Sequence, residues 1–160
     1  MFRINFVTEA AAAHGWLVCR LLFAGYLGVL TVMDIRDKRL NFLFLLSGFL
    51  LVAAGGFFRR DVHPLLLVTG GGVGLVFFAA SKVTGESFGY GDSLLILIMG
   101  SFLGFWDILS VLTAAFLLAA VFSTVMLVRR RFSRRTAFPF VPFLAAAYMG
   151  GMIFGIFGMY

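Results

Sequence analysis

The chain has 160 residues, of which 62% are hydrophobic and only 12% charged, whereas a water-soluble domain carries about a quarter charged residues. A soluble fold is excluded: the apolar residues come in long blocks, so lipid must be the solvent for most of the surface. The net charge of +6 is read as a membrane topology signal, and no nucleic-acid partner is expected.

Residues 1–15 open the chain with Phe2, Phe6, Val7 and Ala10 to Ala13, and are read as an interfacial amphipathic segment. Residues 16–160 then read as an all-α polytopic bundle of six transmembrane helices. The first span runs from about Trp16 to Met33 and stops at Asp34-Ile35-Arg36-Asp37-Lys38-Arg39. Its stronger basic cluster follows the apolar run instead of preceding it, so it reads as a retained helix and not as a cleaved signal. The second span, Leu40 to Phe58, is closed by Arg59-Arg60-Asp61. The third, Pro64 to Ser81, begins with proline in a tolerated first-turn position and stops at Lys82.

A polar, glycine-bearing segment from Val83 to Gly91 follows. The apolar stretch from Ser93 to Val128 is too long for one span and is divided at Trp106-Asp107, giving a short fourth helix and a full fifth one. After the basic run Arg129 to Arg135, a sixth span extends from about Phe138 to Met159.

Arg36, Lys38, Arg39, Lys82 and the arginines between Arg129 and Arg135 all fall after odd-numbered spans. The opposite loops hold only Arg3, Arg59 and Arg60, and Arg20 lies inside the first span, where it can snorkel outward. Both termini are therefore expected outside the cytoplasm. Cys19 is the only cysteine and sits in an apolar run, so no disulfide framework or thiolate zinc site is expected. His14 and His63 have no partner at ligand spacing, and neither a metal nor a cofactor is expected. Gly70-Gly71-Gly72-Val73-Gly74 lacks the Lys and Ser/Thr of a phosphate loop. With Gly100/Gly104 and Gly151/Gly155, it reads as close helix packing.

Two acids carry the functional argument. Asp34 ends the first span, and two further crossings return Asp92, at the start of the fourth, to the same side. Taken singly, Asp34 reads as a solvated loop charge, and Asp92 as a helix N-cap for Ser93-Leu94-Leu95-Ile96. Together, two ionisable groups at span ends facing a bundle interior form a functional-site hypothesis. Two carboxylates about 3 Å apart share one proton, so one activates water while the other polarises a scissile carbonyl. That is peptide hydrolysis with no metal and no covalent intermediate. Gly89 and Gly91 before Asp92 suit close approach of a substrate strand and backbone with positive φ.

Gly89-Tyr90-Gly91-Asp92 matches the GxGD motif of intramembrane aspartyl proteases, and Asp34-Ile35-Arg36 resembles the DxR element of the type IV prepilin peptidase family. Phe138-Pro139-Phe140-Val141-Pro142-Phe143-Leu144-Ala145 is similar to the run that opens the last helix in that family. Three departures stand out: Leu40-Asn41 lacks the family's proline, Leu94 replaces a common lysine, and Val141 replaces a glycine.

The resemblance implies a short-form peptidase of the inner membrane, without the methyltransferase domain of longer members. It would cut the basic leader from prepilin or pseudopilin substrates at the cytoplasmic boundary, in pilus biogenesis or protein secretion. Asp34 and Asp92 are its expected catalytic pair. Gly89, Tyr90, Gly91, Arg36 and Glu86 are expected at the substrate approach, Glu86 and Asp37 attracting a basic leader or serving only as solvated loop charges. The loop from Lys82 to Gly91 is expected to move to admit substrate. A proton-coupled transporter and a noncatalytic scaffold of a secretion system are the rival readings, and the sequence leaves the oligomeric state open.

Overall fold

The computed structural model describes the backbone of residues 2–37, 42–58, 63–83, 89–129 and 139–155, and side chains from residue 14 onward within those segments, except at 37, 42, 57 and 58. All the described secondary structure is helical. Six helices follow one another: α1 (Phe2–Asp37), α2 (Phe42–Phe58), α3 (Pro64–Val83), α4 (Tyr90–Leu103), α5 (Phe105–Val128) and α6 (Val141–Ile153). Three stretches, His14–Arg36, Pro64–Val83 and Phe105–Val128, are long and apolar enough to cross a membrane. The other three apolar helices are shorter; α4 has 14 residues and α6 has 13.

α4 is the central element. Leu95, Ile96, Ile98, Met99, Phe102 and Leu103 are all buried, so it is enclosed on most sides, as an apolar helix without a polar face must be in a bundle core. It packs on α2, α3 and α5, while α1 packs on α2 and α6, and α6 on α5. Phe23 of α1 stacks on Phe102 of α4, with ring centroids 4.3 Å apart and planes 5° from parallel. Trp16 and Tyr148 close the same aromatic cluster, against Phe102 and Phe23 respectively. Outward-facing Leu21, Leu22, Leu50, Val76, Leu117 and Val121 stay exposed on the helices, the pattern of a surface solvated by lipid.

The most extensive contact joins α3 to α4. A methyl group on Gly70 would strike the backbone carbonyl of Gly100, and one on Gly74 would strike the backbone of Leu97. Small residues let helix backbones approach where lipid supplies no hydrophobic drive, so dispersion contacts carry the association. The expected glycine packing therefore holds at Gly70, Gly74 and Gly100.

Gly104 and Gly155 do something else: both have positive φ, at 95° and 64°. The Gly104 N–H bonds to the Gly100 carbonyl, ending α4 there. The long apolar stretch thus divides at Gly104, not at Trp106-Asp107. Both of those residues lie in the first turn of α5, where Asp107 is buried.

α1 runs without interruption through Gly15, joining residues 2–15 to the first apolar span. Arg20 does not snorkel freely, since its Nε and Nη2 atoms are buried. The Tyr148 hydroxyl donates to its carbonyl at 3.2 Å, and its side chain also interacts with that hydroxyl. His63 has a local role, its Nδ1 accepting the Leu65 N–H at 3.3 Å at the start of α3.

Candidate active site

Asp34 lies in the last turn of α1, three residues before the helix ends, and is buried at 9% exposure. Its Oδ2 accepts a hydrogen bond from the Val141 backbone N–H at 3.3 Å. Val141 is the first residue of α6. The acid at the end of one helix therefore meets the N-terminus of another, where unpaired N–H groups and the helix dipole both favour an anion. Nothing local in the sequence announces this contact, which joins residues 107 positions apart.

Asp92 occupies the first turn of α4, half-buried. It is not the N-cap: Gly89 takes that position, with φ −61° and ψ 135°, and no side chain caps the helix. Ser93 closes the turn, its N–H and hydroxyl both donating to the Gly89 carbonyl at 3.1 and 3.3 Å. Tyr90 packs its ring on Phe78 at 5.7 Å, fastening the start of α4 to α3. Among the described residues, Asp34 lies within electrostatic reach of Asp92. The end of α1 thus meets the start of α6 at Asp34, and Asp92 at the start of α4 lies within electrostatic reach of that point.

Gly89 does not have positive φ, contrary to the expected reason for glycine there. Space explains it instead, since a methyl group on Gly89 would stand 3.3 Å from Asp92 Oδ2. Gly91 is helical, and Arg36 is exposed in the last turn of α1. Residues 84–88 of the loop from Lys82 to Gly91, Glu86 among them, lie outside the described residues, as does the Asp37 side chain. Among the described residues, no three His, Cys, Asp or Glu side chains gather as metal ligands would.

Apolar helices, three of them long enough to cross a membrane, with a buried Asp34 and a half-buried Asp92 at helix ends, mark an α-helical membrane protein. The chain belongs to the type IV leader peptidase family, whose profile matches residues 21–124, more than half its length. That match includes Asp34 and Asp92 and ends before α6. Neither the curated proteins nor the solved structures gave a match. Membership makes the protein a type IV leader peptidase-like protease, of a family that processes prepilin-type substrates.

Proposed function

We propose that the protein is an aspartyl endopeptidase of the inner membrane, in which residues 16–160 form a six-span domain with both termini outside the cytoplasm. Asp34 and Asp92 are its catalytic pair, and the substrate is a prepilin or pseudopilin whose basic leader is cut at the cytoplasmic boundary. The observation that supports this reading is that Asp34, held at the α6 N-terminus, lies within electrostatic reach of Asp92 at the start of α4.

In this reading the two carboxylates approach closely enough that like charge disfavours double ionisation, and they share one proton. The ionised carboxylate removes a proton from a water molecule as its oxygen attacks the scissile carbonyl carbon. The protonated partner donates to the carbonyl oxygen; as the tetrahedral species collapses the C–N bond breaks, the amine nitrogen takes the proton that the first carboxylate removed from water, and the partner recovers its proton from the hydroxyl. Gly89 keeps the approach to Asp92 open. Tyr90, Gly91, Arg36 and Glu86 belong to the substrate side of this proposal.

Co-expression with candidate prepilins, read by the mass of their N-termini, tests it. Asp34→Asn and Asp92→Asn should each abolish processing while leaving the membrane level of the protein unchanged. Retained processing in either variant rejects the pair.

A further inference from the structure

We propose that the backbone N–H of Val141 fixes the orientation of Asp34, which makes Val141 a positioning residue for the acid pair. This rests on the reading of Asp34 and Asp92 as the reacting groups. An aspartate in the last turn of a helix has little helix beyond it to restrain its side chain. The restraint here comes from α6, through a buried bond from a residue with no exposed surface.

The start of α6 leaves this donor for Asp34 by elimination. Pro142 has no N–H to give. The Phe143 and Leu144 N–H groups are both committed to the Phe140 carbonyl, at 3.1 and 3.3 Å. Of the first four helical residues, Val141 alone is left to donate outward, and it donates to Oδ2 of Asp34. One carboxylate oxygen is thereby held by α6, and in this proposal Oδ1 is the oxygen that meets the water molecule.

The donor is itself anchored. Phe140 packs on Phe116 with centroids 5.3 Å apart, and Phe143 packs on Phe122 at 5.7 Å, so α5 sets where the first turn of α6 lies. A backbone donor also does not depend on the side chain it carries. Valine in place of the glycine usual at this point of the family's pattern leaves the bond in place.

The full chain in lipid nanodiscs, labelled with 15N-valine, gives the test. The Val141 amide signal, assigned by its loss in Val141→Ala, should shift on Asp34→Ala. Val141→Pro deletes the donor and should lower kcat for prepilin cleavage by about tenfold or more with KM little changed. Val141→Ala, which keeps the N–H, should retain a kcat at least about tenfold above that of Val141→Pro.

Phe140 has helical backbone angles, φ −92° and ψ −28°, which a following proline disfavours, so Val141→Pro can fail to fold. The amide measurement does not depend on that variant. A Val141 amide unmoved by Asp34→Ala overturns the inference even where the wild type cleaves prepilin. A wild-type protein that cleaves no prepilin-type substrate overturns the reading beneath it, whatever the amide does.

Discussion

Gly74 of α3 lies against the backbone of Leu97 in α4 so closely that no methyl group fits between them. Leu97 is five residues beyond Asp92 on the same helix, so this contact sets how α4, and the acid it carries, is seated against α3.

The glycines of α3 should therefore differ in what they tolerate. Gly70→Ala and Gly74→Ala press a methyl into backbone and should each destabilise the protein by about 1–3 kcal/mol. Both should also lower processing by displacing Asp92. At Gly71 the obstacle is the Ser101 hydroxyl at 2.6 Å, which can rotate away, so Gly71→Ala should cost less. Nothing lies within 4 Å of a methyl on Gly72, and Gly72→Ala should be neutral or stabilising by about 0.5–1 kcal/mol. Thermal unfolding of the four variants in one detergent checks the order.

Gly104→Ala should destabilise by about 1–3 kcal/mol, because the φ of 95° and ψ of 172° at this position belong to a region almost confined to glycine. Gly56→Ala, in open space on α2, is the control and should leave the melting temperature unchanged or raise it.

Gly89→Ala should leave the fold intact and reduce processing several-fold, since its methyl group would crowd Asp92 Oδ2. Gly89→Leu should reduce it further. An unaltered cleavage rate in both would show that the space beside Asp92 is not used.

Tyr148→Phe removes a hydroxyl that bonds to the Arg20 carbonyl and interacts with its guanidinium. The expected loss is about 0.5–1.5 kcal/mol of stability, the range for single hydrogen bonds within helical membrane proteins. Denaturation of the variant beside the wild type measures it.

Much of this architecture was legible because charge is costly in lipid. Asp34 to Arg39, Arg59 to Asp61, Lys82 and Arg129 punctuate the apolar blocks, and the helices end at or beside them. The expectation of an acid pair came from a related count, two crossings returning Asp92 to the side of Asp34, and the structure brings the two within electrostatic reach. Gly104 was passed over because the charge of Asp107 drew the division toward itself. A glycine closing the turn that ends an apolar helix was the available signal, and it was the better one.

Contacts between distant positions had no signal at all. The Val141 bond to Asp34 and the Tyr148 bond to Arg20 span 107 and 128 residues, and each depends on how α6 lies against α1. Taken alone, Asp92 reads as a cap because its type suits one. The backbone instead gives that place to Gly89, which puts the carboxylate inside the first turn.

α4 and α6, with 14 and 13 residues, rise only about 21 and 20 Å, well short of a hydrocarbon layer of roughly 30 Å. On the proposed topology, the bilayer must pinch inward beside these two helices or leave their ends submerged. Asp92 and the Val141 amide would then stand at the floor of a dimple, with water descending to them. Acyl-chain length becomes a control on the enzyme, and cleavage should slow as the surrounding lipids are lengthened.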